Sequence, residues 1–192
     1  MTRRSVAVEA YKEGVPALSA SLVGGLLAGV VLGGMRSDLQ TIDGLLVLVP
    51  ALLATRGNVY GSLGARIATA LHQGLLEPRV SEADDALLRA VAAAISNGLL
   101  ASVFAAVVAT LALLSLGRPS AGLFTFAAIS IVAGLLSGIA LATTVVFVVF
   151  AGYRRGYNPD TLVGPLVTTA GDVFGMAALL LAVRVVILLG GG

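Results

Sequence analysis

Asp172 stands in Gly171-Asp172-Val173-Phe174-Gly175, directly before the apolar run Met176 to Val183, and no basic residue follows it until Arg184. A carboxylate near the centre of a bilayer costs roughly 2.5 to 3.5 kcal/mol on insertion scales, so it needs a partner and is by default a functional residue. With no opposite charge in its own segment, the expected partner is an ion or water. Thr168 precedes Asp172 by one helical turn, and Gly164, Thr168, Asp172 and Gly175 fall on one helix face. That small, polar stripe suits the wall of a pore. Pro165 marks either the start of a helix or a kink that loosens carbonyls near Thr168. Asp160, in Asn158-Pro159-Asp160, would stand at the cytoplasmic mouth, where turn chemistry is the competing explanation.

A second polar interruption, Thr55-Arg56-Gly57-Asn58, follows the apolar Pro50-Ala51-Leu52-Leu53. A helix break at membrane depth is tolerated only where it is buried in protein or lines a wet cavity, which makes the Asn58 amide oxygen a candidate pore lining. A helix cap or turn made by Gly57 and Asn58 explains the same residues equally well.

Composition restricts the chemistry available to these groups. Of 192 residues, 58% are hydrophobic and 11% charged, and the mean hydropathy is +1.02, as in an integral membrane protein. The absence of Cys excludes disulfides and thiolate metal sites, and a single histidine, His72, excludes an imidazole cluster. A bound metal would be held by oxygen, which favours hard cations such as magnesium, calcium or manganese. The net charge of +2 is too small to suggest nucleic acid.

The elements that must position these residues are apolar stretches near 20 residues, the length that crosses about 30 Å of hydrocarbon as a helix. Five are expected, at 15–35, 42–56, 89–116, 121–150 and 163–189, in an all-α membrane protein forming one domain over 1–192. The first is long and Gly-rich without a convincing cleavage site, unlike a signal peptide. Between the second and third spans, Leu63, Ile67, Ala70, Leu71, Gly74 and Leu75 recur near helical spacing. That predicts an amphipathic helix over about 59–76, with Arg66 and His72 on its solvated side. Arg3, Arg4, Lys12, Arg56, Arg66, Arg79, Arg89, Arg154 and Arg155 share one side and only Arg36 and Arg118 the other. The positive-inside rule then predicts a cytoplasmic N-terminus and an external C-terminus in the cell membrane.

Stripes of small residues at four-residue spacing, Gly25, Gly29 and Gly33 on the first span and Ser130, Gly134, Gly138 and Ala142 on the fourth, predict close helix contacts within the chain or between copies. Ser81-Glu82-Ala83-Asp84-Asp85 reads as a capping box at the start of the third span, with a cation-sensing acidic cluster as the alternative.

Pro50-Ala-Leu-Leu, Arg56-Gly57-Asn58, Gly64-Ala65-Arg66 and the stretch from Asn158-Pro159-Asp160 through Pro165 to Gly171-Asp172 resemble the membrane domain of MgtE-type magnesium transporters and the related eukaryotic magnesium solute carriers. The resemblance implies a five-helix fold working as a pair, a cation path at the interface, and Asp172 holding hydrated magnesium, with manganese or cobalt as other possible cargo and no cofactor. Only about fourteen residues precede the first expected span, so gating by the cytoplasmic domains of bacterial members is not carried over. Eukaryotic members fuse two five-helix units, so this chain resembles a half-transporter expected to pair with a second copy or a related half. A homodimer would bring two Asp172 carboxylates to its axis, where they repel unless a cation or proton lies between them. An intramembrane aspartyl protease would need a second Asp deep in the membrane, which the interiors of the other spans do not supply. A non-transporting scaffold is the alternative function, and it leaves Asp172 unexplained.

Overall fold

Long apolar runs become helices because hydrocarbon offers no partner for backbone N–H and C=O groups, and a helix satisfies them internally. The computed structural model describes residues 3–78, 85–156 and 159–190. They form α1 (Arg3–Gly34), the short α2 (Arg36–Thr41), α3 (Leu45–His72), α4 (Asp85–Ser115), α5 (Leu123–Arg154) and α6 (Pro159–Leu188), with no strand among the described residues. Four segments are long and apolar enough to cross a membrane: α3, α4, α5 and Val163–Leu188 of α6. The apolar part of α1, Leu18–Gly34, rises only about 25 Å. The molecule is a multi-pass integral membrane protein.

The expected second span and the amphipathic helix after it are one continuous element. α3 runs unbroken through Thr55-Arg56-Gly57-Asn58, so the predicted interruption at 55–58 is not a break and Asn58 is not a cap. The physical reason is that the segment has no proline; Gly57 alone costs a helix about 1 kcal/mol, which packing readily offsets. The second half of α3 docks on the bundle, burying Tyr60, Leu63, Ile67 and Leu71. Its end is tied to α5, where the Tyr153 hydroxyl donates to the Leu71 carbonyl at 3.3 Å and the His72 ring meets Tyr153 edge-on at 5.8 Å. His72 therefore has an aromatic neighbour as well as exposure. The expected capping residues Ser81, Glu82 and Asp84 lie outside the described residues, while Asp85 occupies the first turn of α4, favourably for the helix dipole.

α6 packs against α1, α3 and α5, and α4 closes the bundle against α3 and α5. The connection into α3 turns at Gly44, whose φ of 79° is left-handed and whose missing side chain makes room for Leu113 and Phe126. Two apolar clusters result. One joins Leu45–Leu52 of α3, Ala105–Leu113 of α4, Phe126–Ala133 of α5 and Met176–Val186 of α6; the other joins Tyr60–Leu71, Leu87–Ala94, Leu141–Phe150 and Val163–Val167. Between them all four helices carry polar groups at one level: Arg56, Ser102, Ser137 and Asp172.

The two small-residue stripes have different fates. Ser130, Gly134, Gly138 and Ala142 are buried, with Gly134 against Ser102 and Leu99 of α4 and Gly138 under the Tyr60 hydroxyl. Gly25, Gly29 and Gly33 face open space within the chain. At Gly138 an added Cβ would lie 2.5 Å from Tyr60 Oη, and Tyr60 is fully buried with Gly98 on its other side. Gly138→Ala is therefore expected to destabilise by about 1–3 kcal/mol through overpacking, read as a lower unfolding temperature in detergent; an unchanged midpoint would mean that Tyr60 can move.

Candidate functional site

The middle of α6 supplies Asp172 and Thr168, and the middle of α3 supplies Asn58. All three line one cavity of ≈ 410 Å³ together with Leu53, Ala54 and Gly57. Beside the cavity α3 and α6 approach closely at glycines. A Cβ at Gly171 would meet Arg56 Cβ at 3.6 Å and the Gly57 nitrogen at 3.9 Å, and one at Gly175 would lie 2.7 Å from Leu53 Cδ2. Gly175, expected on the pore face, is instead buried in this helix crossing, while Gly164 faces open space.

Each polar lining group presents oxygen. The Thr168 hydroxyl donates to the Gly164 carbonyl at 2.8 Å, which commits its proton and leaves lone pairs free to accept. Pro165 lies inside α6 rather than at its start, and its carbonyl accepts from Thr169 at 2.7 Å and from Ser21 of α1 at 3.4 Å. That carbonyl is engaged in packing α1 on α6. Asp172 is half-buried, and Arg184, three turns further along α6, pairs at 3.9 Å with Asp38 of α2 instead. Asp160 falls in the first turn of α6, about 18 Å of helical rise before Asp172; its side chain lies outside the described residues. The structure thus brings together Asp172, Thr168 and Asn58. Among the described residues no group of three or more His, Cys, Asp or Glu could hold a stripped metal ion.

Arg56 is the residue that sequence reasoning misplaced. Expected among the cytoplasmic loop charges, it is 2% exposed in the bundle core. Its side chain starts beside Gly171 of α6 and reaches α4, where Nη1 donates to Ser102 Oγ at 3.0 Å; Ser102 Oγ donates in turn to the Gly98 carbonyl at 2.7 Å. Nε finds no acceptor, and neither does the buried Tyr60 hydroxyl find a partner. The signal for its burial was present: Leu45, Leu48, Leu52, Arg56, Tyr60, Leu63 and Ile67 recur at helical spacing, so Arg56 falls on the apolar face of α3.

A helical membrane bundle with an oxygen-lined cavity where α3 meets α6 has the donor chemistry that suits a hard cation. Residues 49–182 match the MgtE family, described as divalent cation transporters, and the chain belongs to that family. Solute carrier family 41 member 3 of Rattus norvegicus is 25% identical over 175 residues, covering 87% of this chain and 37% of the relative. Solute carrier family 41 member 2 of Gallus gallus and of Homo sapiens are each 29% identical over 180 residues, covering 82% of this chain and 29% of theirs. The chain therefore spans little more than a third of the longest-covered of these relatives. Members of the family are transporters, not enzymes.

Proposed function

We propose that this chain moves divalent cations, magnesium foremost, through a path that passes the cavity of Asp172, Thr168 and Asn58. The observation that carries the reading is the meeting of a carboxylate, a hydroxyl oxygen and an amide oxygen in one cavity at the level where the two apolar clusters are interrupted. Magnesium keeps several waters and needs only one or two carboxylates, so a sparse oxygen set fits it better than a cage would. Asp160 serves as an outlying acidic group at the cytoplasmic mouth.

One chain offers a single carboxylate here, and we read the site as completed by a second copy. Support comes from the α3 face of Asn58, Ser62, Arg66 and Thr69, which is exposed in the single chain. Hydrocarbon cannot solvate such a face; a partner subunit enclosing a wet path can. In this arrangement α1 completes a fifth crossing, the N-terminus lies in the cytoplasm and the C-terminus outside, following the basic residues other than the buried Arg56. The purified chain, reconstituted alone into liposomes, is expected to take up magnesium and, more weakly, manganese or cobalt. Absence of flux from the lone chain would reject the homodimer and favour a pair with a different half or a scaffold. Running the assay with and without a sodium gradient separates a channel from a coupled exchanger.

A further inference from the structure

A cleft and a shallow depression follow the Asp172 cavity along the exposed face of α3. Asn58 lines both that cavity and the cleft of ≈ 280 Å³ between α3 and α4, where Ser62, Arg66 and Asn97 supply the other polar groups. Ser62 and Arg66 in turn line the shallow, open depression on α3 itself that extends to Gln73. From Asn58 to Gln73 the helix rises about 22 Å, so the polar face leads from the middle of the bundle to the end of α3. Among the described residues Arg66 is the one charged group besides Asp172 that lines this route, and it has no carboxylate partner among them. It is exposed to the route rather than folded into the core as Arg56 is.

Resting on the reading of the Asp172 cavity as a cation path, we infer that Arg66 is a rate-controlling residue, a fixed positive charge that lowers divalent-cation occupancy on the way between Asp172 and the end of α3. Coulomb repulsion scales with the charge of the ion, so a divalent cation is opposed twice as strongly as a monovalent one. Arg66 lies about 12 Å of helical rise from Asn58. Over that distance the field reaches the Asp172 cavity at low salt, where the Debye length is about 30 Å at 0.01 M, and is largely screened at 0.15 M, where it is about 8 Å. The effect is to empty the inner route of divalent ions between passages, which holds back flux and limits return from that side.

The test measures initial magnesium uptake below saturation in liposomes of zwitterionic lipid, at about 10 mM and about 300 mM monovalent salt, conditions that span weak and strong screening. Wild type is compared with Arg66→Lys, Arg66→Gln and Arg66→Glu, with Asp172→Ala as control. At low salt the expected order is Glu above Gln above Arg and Lys, with Arg66→Glu faster than wild type by about ten-fold, the low end of what charge focusing in a cleft produces. High salt should narrow the gap and accelerate wild type itself, a readout that stands even if a variant fails to fold. Equal rates for all four at both salts, with Asp172→Ala silent, would overturn the role of Arg66 and leave the cation path intact. Slower transport by Arg66→Gln and Arg66→Glu would overturn it too, and would mean that the guanidinium holds an anion such as a lipid phosphate. Transport by Asp172→Ala would instead remove the path on which the inference rests.

Discussion

Asp172→Ala is expected to reduce divalent uptake at least tenfold, to the level of liposomes without protein, while the chain still folds and inserts. Among the described residues Asp172 is the only carboxylate of its cavity, and its half-buried position leaves room for the shorter side chain without opening a hole in either apolar cluster. Asp172→Asn separates charge from shape, since the amide keeps one oxygen and loses the charge that favours a divalent ion. It should transport as poorly as Asp172→Ala. Binding linkage gives an independent readout. A ligand that binds only the folded state stabilises it by RT ln(1 + [L]/Kd), about 2.7 kcal/mol at a hundredfold excess over Kd. Magnesium should therefore raise the unfolding temperature of wild type and leave that of Asp172→Asn unmoved. Normal transport by Asp172→Ala would reject the cavity as the path. Equal magnesium stabilisation of wild type and Asp172→Asn would locate the bound ion elsewhere.

Ser102→Ala is expected to destabilise the bundle by about 1.5–3 kcal/mol, the range for a hydrogen bond to a charged group. Ser102 Oγ accepts the one hydrogen bond that the Arg56 guanidinium forms among the described residues, a group with five donors and 2% exposure. Without it the charge stays in the core with nothing to replace the lost acceptor. Arg56→Met in the Ser102→Ala background removes the orphaned charge and keeps most of the volume, so it should recover most of the loss; replacing buried charges by apolar groups of similar size is often neutral or stabilising. Denaturant unfolding of the four proteins of this double-mutant cycle measures the coupling. If Ser102→Ala alone has no effect, the guanidinium finds its solvation elsewhere, and the layer of Arg56 and Ser102 is wet rather than sealed.

Asp172, Thr168 and Asn58 were legible in the sequence because an apolar background makes each polar residue conspicuous: hydrocarbon tolerates such groups only where something else solvates them. That reasoning identified the groups that meet in the cavity but misjudged how α3 presents Asn58. A run of Thr-Arg-Gly-Asn reads as the end of a helix when each residue is weighed by its local preference. Packing of α3 on α6 at Gly57 and Gly171 carries the helix straight through instead.

Arg56 was misread for a related reason. Charge counting assigns every arginine near the end of an apolar run to water, although the helical period puts this one on the apolar face of α3, where its contact with Ser102 of α4 seats it inside. The glycines show the same division. Gly175 and Gly164 have equal claim to a pore-facing stripe by spacing, yet one is buried against Leu53 and the other is open. Spacing shows which residues share a face; only the neighbouring helix shows what that face meets.

By itself, then, the sequence determined an all-helical membrane protein, the family resemblance and the small set of oxygen-bearing residues able to meet a hard cation. These follow from local properties: apolar run length, helical period and the cost of a carboxylate in hydrocarbon. Tertiary structure decided that α3 is continuous, that Arg56 is internal, and that Asn58 of one helix shares a cavity with Thr168 and Asp172 of another. Those outcomes depend on contacts between residues distant in sequence, 46 positions apart for Arg56 and Ser102 and farther still for α3 and α6, which local preferences do not encode and close packing of the helices does.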